Sequence, residues 1–162
     1  MERAGDGGDD KLPAVAACTP GAVVLRRRAL TLLEHLLALP APEEGCALLI
    51  GERRGGDWWV ERIWPCLNVW EPAGERCRRF AVDPREQLQA QKWARRRGLQ
   101  LLGAAHSHPV SPPLPSDTDR EHTLAPALML IRGLGAQAAP VLACWWLVEE
   151  GTPQPLAWRM ED

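Results

Sequence analysis

The stretch Gly103-Ala104-Ala105-His106-Ser107-His108-Pro109, followed across a proline-rich loop by Ser116-Asp117-Thr118-Asp119, decides how this chain is read. An apolar run that begins at Leu99 ends in two imidazoles separated by one residue. In an extended strand such a pair points to one side, because side chains alternate with a period of two. Asp119, eleven residues beyond His108, can fold back to complete a set of three ligands, and Asp117 competes for that place. Zinc in catalytic sites takes three protein ligands and keeps a fourth position for water. The grouping is therefore expected to be a hydrolytic metal centre at the end of a central strand, Leu99 to His108. Pro109, Pro112, Pro113 and Pro115 restrain the loop that follows by fixing φ and narrowing its freedom when unfolded.

Working outward, Ala22 to Leu25 reads as a short strand, and Leu32, Leu33, Leu36, Leu37 and Leu39 fall on one face of a helix that Pro40 and Pro42 end. Cys46 to Ile50 reads as a buried strand, turned by Gly51 to Gly56 into its hairpin partner Trp58 to Trp64. Arg78 to Val82 is expected to be a further strand. Asp83-Pro84 opens a helix over residues 85 to 97, stopped at Gly98. A short helix from Asp117 to Thr123 and strands at Ala127 to Ile131, Val141 to Glu149 and Leu156 to Met160 complete the order. The expected fold class is α/β, a mixed curved sheet flanked by helices. Residues 1 to 20, rich in Gly, Asp, Pro and Ala without periodicity, read as a disordered arm, and residues 21 to 162 as a single domain.

The composition, 46% hydrophobic and 25% charged with a net charge of -2, is that of a globular protein. It offers no basic footprint for nucleic acid or an anionic membrane. Cys18, Cys46, Cys66, Cys77 and Cys144 are scattered without Cys-x-x-Cys pairing, which argues against a zinc ribbon or a disulfide framework. They read as reduced, mostly buried thiols of a cytoplasmic protein. The longest apolar stretch, Pro140 to Val148, is about half of what a bilayer crossing needs. The chain has eight tryptophans, no tyrosine and one phenylalanine, so tryptophan supplies most of the aromatic core volume. In strands, Trp58-Trp59 and Trp145-Trp146 would each turn one ring outward, leaving an apolar patch suited to a partner protein or a homodimer.

Two acidic residues, Glu43 and Glu44, stand just before the apolar run Cys46-Ala47-Leu48-Leu49-Ile50-Gly51. Glu44-x-Cys46-Ala47-Leu48-Leu49-Ile50-Gly51, then His106-Ser107-His108-Pro109, then Ser116-x-x-Asp119 resembles the JAMM (MPN+) metalloprotease family. The seven residues between His108 and Ser116 agree with that family's His-x-His-x7-Ser-x-x-Asp signature, and Asn68 and Phe80-Ala81-Val82-Asp83-Pro84 are similar to landmarks of its compact bacterial members. The resemblance covers roughly residues 22 to 148. It implies the JAMM/MPN, cytidine-deaminase-like fold, with His106, His108 and Asp119 as ligands of one zinc ion per chain and a water as the fourth. Ser116-x-x-Asp119 is also the pattern of a helix cap with an acidic third residue, a reading compatible with ligation. Glu44, seven residues before Gly51, takes the place of the family's general base, and Ser116 that of a donor to the oxyanion. Ala47 departs from the glycine common there.

The implied activity is hydrolysis of a peptide, isopeptide or thioester bond after the Gly-Gly tail of a ubiquitin-like sulfur-carrier protein. No long insertion separates Glu44 from His106 that could hold a second ubiquitin-like partner, which favours the compact bacterial type. The competing expectations are a non-catalytic scaffold of the same fold and a JAMM-like protein of DNA repair, against which the mild acidity speaks. His35 and His122 are expected to be helix residues outside the centre, and Ser107 to face away from it.

Overall fold

The computed structural model of the chain describes residues 19–162. The first eighteen residues of the expected arm lie outside the described residues, and Pro20 is already buried. The elements run β1 (Val23–Arg26), α1 (Arg27–Ala38), β2 (Cys46–Arg54), β3 (Asp57–Cys66), α2 (Pro84–Arg95), β4 (Gln100–Ser107), α3 (Asp117–Glu121), β5 (Ala127–Leu134), β6 (Pro140–Leu147), β7 (Gln154–Leu156) and β8 (Trp158–Glu161). The strands form one eight-stranded mixed sheet in the order β7-β6-β5-β4-β2-β3-β1-β8. β1 runs parallel to β3 and β8, and β4 parallel to β5; the other pairs are antiparallel.

The two ends of this sheet are neighbours in sequence. Only Ala157 separates β7 from β8, so the sheet must curl until its edges approach. The indole of Trp158 donates to the Leu142 carbonyl at 3.0 Å and spans the remaining gap. This explains a departure from expectation at Leu156 to Met160, read from sequence as one strand. The chain changes partners there, from β6 to β1, and Ala157 spends its carbonyl on Val23 N–H at 2.9 Å.

β2 lies in the middle and is buried on both faces, as its continuous apolar run requires. Ala47 and Leu49 join the core under α1, together with Ala29, Leu33 and Leu37 of that helix. Leu48 and Ile50 face α2, where Ala90 and Ala94 let the helix lie close to the sheet. Asp83 caps α2 by accepting from Arg85 N–H at 2.9 Å, with Pro84 in its first turn. No helix among the described residues is long and apolar enough to cross a membrane.

Arg78 to Val82 is not a strand. Residues 67–83 form an irregular excursion between β3 and α2, and their backbone groups bond to the Asn68 carboxamide instead of to a ladder: Ala81 N–H donates to its Oδ1 at 3.2 Å and Arg79 C=O accepts from its Nδ2 at 2.8 Å. Of the two tryptophan pairs, Trp58 and Trp146 are buried and Trp59 and Trp145 turn outward as expected, each partly covered. The guanidiniums of Arg26 and Arg54 lie 4.8 and 4.6 Å from the Trp59 ring centre, and Trp145 donates to the Pro113 carbonyl at 2.9 Å. Cys46, Cys66, Cys77 and Cys144 are free thiols, Cys46 and Cys144 fully inside; Cys18 lies outside the described residues.

Candidate metal centre

β4 presents Ala105 to the core under α1 and therefore turns Ala104 and His106 to the opposite face. His106 pairs in register with Cys46 on β2 and Ile131 on β5. Its ring is wholly buried and stacks on Phe80 with centroids 4.3 Å apart. One residue past the strand end, His108 continues the extended course by donating its N–H to Arg132 C=O at 2.8 Å. Its Nδ1 lies 2.8 Å from the Pro112 carbonyl. A carbonyl only accepts, so Nδ1 carries the proton and the Nε2 lone pair of the neutral ring points inward.

The loop that supplies this carbonyl is seated on β5 at Gly133. A Cβ there would meet Pro113 N at 2.6 Å and Ser111 O at 2.8 Å, so glycine is required by the close approach of two backbones. Leu134 N–H donates to Ser111 O at 2.9 Å. The proline run is thus pinned against the sheet before it reaches α3.

α3 carries the carboxylate. Ser116 Oγ accepts from Asp119 N–H at 3.0 Å, and Asp119 Oδ2 accepts from Ser116 N–H at 2.9 Å, a reciprocal capping box. The same Oδ2 lies 3.1 Å from His106 Nε2 and 3.3 Å from His108 Nε2, and the two Nε2 atoms are 3.1 Å apart. A tetrahedral ion with bonds of about 2.0–2.1 Å to nitrogen and oxygen has ligand atoms about 3.3 Å apart. The triangle therefore has the size of one face of such a coordination shell, and its fourth corner is free of these three groups. Asp117 is exposed and faces Arg120, which assigns the position in this cluster to Asp119.

Each protonation state follows from the surroundings. Burial raises the Asp119 carboxyl, but the two imidazoles and the Ser116 N–H outweigh it and hold the group well below the usual carboxylate range. Burial lowers His106 below its ordinary value against the pull of Asp119. For His108 burial is outweighed by Asp119 and the Pro112 carbonyl, and its affinity for a proton rises. Glu44, 3% exposed, is pushed up to about 7, chiefly by burial, with His108 pulling down and Asp119 pushing up. Its Oε2 has no hydrogen-bond partner.

Glu44 is brought to this place by its backbone. Its N–H donates to Arg76 C=O at 2.8 Å and its C=O accepts from Asn68 Nδ2 at 3.1 Å. The next residue, Gly45, donates its N–H to Ser107 Oγ at 2.8 Å. Ser107 thus faces away from the two histidines that flank it and ties β4 to the segment bearing Glu44. His35 is exposed on α1 and His122 ends α3, where its ring packs on Trp70 with centroids 5.0 Å apart; neither joins the cluster.

Beside the cluster lies a cleft of about 340 Å³ whose lining includes Phe80, Gln87, Gln91, Leu101, Asp119 and His122. The contacts of three participants escape a reading by motif: Phe80, Asn68 and the Pro112 carbonyl. Phe80, the sole phenylalanine in a tryptophan-rich chain, and Asn68 both stood among the landmarks of the resemblance, but nothing local signals what they touch. A carbonyl has no side-chain signature at all.

A profile of prokaryotic homologs of the JAB domain matches residues 26–159. The chain belongs to this family. The JAB fold is equally visible in solved structures: a Desulfitobacterium hafniense protein superposes with a TM-score of 0.72 at 32% identity, over 86% of this chain and 93% of that one. A Salinibacter ruber protein follows at 0.56 and 27%, over 82% and 89% of the respective chains. Among curated proteins, the JAB chain is 42% identical over 85 residues to a probable TtuB-protein conjugate cleaving protease of Thermus thermophilus, 52% of this chain and 51% of that protein. It is 30% identical over 83 residues to a desampylase of Pyrococcus furiosus, 51% of this chain and 48% of that protein. The chain spans about half the length of the curated relatives it matches.

Proposed function

We propose that this JAB protein is a cytoplasmic zinc metallopeptidase, residues 21–162 forming one catalytic domain, that hydrolyses the bond following the Gly-Gly tail of a ubiquitin-like sulfur-carrier protein. The observation that carries the reading is the convergence of His106 Nε2, His108 Nε2 and Asp119 Oδ2 to within 3.1–3.3 Å, all three buried, beside the buried Glu44, whose Oε2 has no hydrogen-bond partner. The names of the two curated relatives, one a probable TtuB-protein conjugate cleaving protease and one a desampylase, support this substrate class.

His106, His108 and Asp119 would hold one zinc ion per chain. When bound, the ion brings the pKa of a water ligand to roughly 7 and polarises the scissile carbonyl. Glu44 accepts a proton from the attacking water and delivers it to the leaving amine or thiol, a task suited to a buried carboxyl whose surroundings raise its affinity for a proton. Ser116 Oγ, which already accepts from Asp119 N–H, still has its hydroxyl proton to donate to the developing oxyanion, an interaction worth about 3 kcal/mol for one well-placed donor. The cleft between Phe80, Gln87 and Gln91 receives the tail in extended form. Its glutamine side chains, Gln87 and Gln91, offer amides to the peptide backbone.

The reading is tested by incubating the zinc-loaded protein with a ubiquitin-like sulfur carrier that bears a C-terminal extension, and weighing the products. It predicts a carrier ending in Gly-Gly together with the released extension. Zinc-loaded protein that leaves every such carrier intact contradicts the substrate assignment.

A further inference from the structure

We infer that Asn68 is a positioning residue that couples the segment bearing Glu44 to the histidine end of the centre. This rests on the reading above of Glu44 as base and His106 as ligand. Asn68 lies two residues past the end of β3, outside any ladder, yet its carboxamide is used on every side. Nδ2 donates to Glu44 C=O at 3.1 Å and Arg79 C=O at 2.8 Å, with a longer approach of 3.5 Å to Arg76 C=O. Oδ1 accepts from Trp70 N–H at 3.1 Å and Ala81 N–H at 3.2 Å. Three carbonyls face the nitrogen and two N–H groups face the oxygen, so the amide has only one workable orientation.

The excursion that Asn68 gathers reaches two sides of the metal centre. Phe80, next to Ala81, stacks on His106 at 4.3 Å. Trp70 packs on His122 at 5.0 Å, at the end of the helix that presents Asp119. The same excursion accepts the Glu44 N–H at Arg76 C=O, so both backbone groups of Glu44 depend on it. One carboxamide therefore fixes the backbone under the base and the loop that clamps a ligand ring. No other side chain of this size offers two donors and two acceptors. Aspartate keeps the acceptor and loses both donors; alanine loses everything and strands several backbone groups. Asn68 bonds only backbone, so it acts through Glu44 and His106 and not on the reacting atoms.

Asn68→Asp, Asn68→Ala and Phe80→Leu would be compared with wild type by NMR, for amide exchange and His106 ring shifts, and by kcat and KM on an extended carrier. In Asn68→Ala the amides of Glu44, Trp70 and Ala81 are expected to exchange at least tenfold faster while those of β4 and β5 keep their protection. The His106 ring protons lose the upfield shift from Phe80 stacking. kcat falls about 10–100-fold, the range for supporting groups behind a metal ligand, with KM within about twofold. Asn68→Asp retains slow exchange at Trp70 and Ala81 and loses it at Glu44. Phe80→Leu moves the His106 signals but leaves the Glu44 amide protected. Faster exchange throughout the sheet, with KM and kcat drifting together, would make Asn68 merely structural and overturn the inference; so would unchanged Glu44 exchange and His106 shifts in Asn68→Ala. The NMR readouts need no substrate. A wild type that cleaves nothing therefore defeats the proposed activity, while the question of Asn68 is decided by the spectra.

Discussion

Ser116 and Asp119 hold each other by two hydrogen bonds, Asp119 N–H to Ser116 Oγ at 3.0 Å and Ser116 N–H to Asp119 Oδ2 at 2.9 Å. The oxygen that closes this box is the one that faces both imidazoles. The oxygen that completes the helix cap is also the proposed metal ligand, so the start of a five-residue helix is aimed by its own capping chemistry.

Ser116→Ala removes one half of that box. Loss of an N-cap hydroxyl costs about 1 kcal/mol of stability, and a supporting group lost behind a ligand lowers metal affinity about 10–100-fold. Chelator competition should show the weaker zinc binding, and thermal unfolding the smaller change. Unchanged zinc affinity would mean that Asp119 is oriented by something other than its cap.

Glu44→Gln has an effect on stability that does not require turnover. Glu44 titrates near 4.5 when unfolded and at about 7 in the folded, metal-free protein. Below pH 4.5 the group is protonated in both states and contributes no difference. As pH rises from 4.5 to 7 the unfolded state ionises first, and the native state is progressively disfavoured by up to about 3 kcal/mol. The metal-free variant should therefore match wild type at pH 4, surpass it increasingly up to pH 7, and keep that lead above it. Denaturant midpoints across this range check the sign; a variant less stable than wild type at pH 8 refutes the burial of an uncompensated carboxylate.

Bound metal should stabilise the fold. His106 Nε2, His108 Nε2 and Asp119 Oδ2 already stand at coordination spacing, so little rearrangement is needed, and zinc at a hundredfold excess over its dissociation constant adds about 2.7 kcal/mol. Chelation should lower the melting temperature and zinc restore it. In Asp119→Asn the zinc-dependent increment should shrink or vanish, whereas a full increment there would remove Asp119 from the ligand set.

Gly133→Ala tests the seat of the proline loop. The new methyl would lie 2.6 Å from Pro113 N, and relief requires moving the loop whose Pro112 carbonyl orients His108. Overpacking of this kind costs about 1–3 kcal/mol, and zinc affinity should fall with it. Gly74→Ala, where an added Cβ meets no atom within 4 Å, serves as the control and should do neither.

How far the sequence reveals all this depends on the range of the forces involved. Leu33 and Leu37, Ala47 to Ile50 and the Asp83-Pro84 helix start are local patterns, and the elements form where those patterns point. His106, His108, Ser116 and Asp119 are legible because a strand and a cap bring close neighbours together. Arg78 to Val82 misleads because its strand-like residues bond to a distant carboxamide, a choice no local propensity encodes. The break at Ala157 is equally hidden, since it follows from closure of the whole sheet. Trp59 and Trp145 turn outward as alternation requires, and what alternation does not tell is that arginines and a proline carbonyl partly cover them.

In the proposed zinc-dependent hydrolase Glu44 is the base and not a ligand. The most direct test of this measures zinc content and cleavage of a C-terminally extended sulfur carrier side by side in wild type and Glu44→Gln. We predict close to one zinc per chain in both proteins and cleavage in wild type alone. A folded wild type that takes up no zinc after reconstitution, or a Glu44→Gln variant that cleaves as well as wild type, contradicts it.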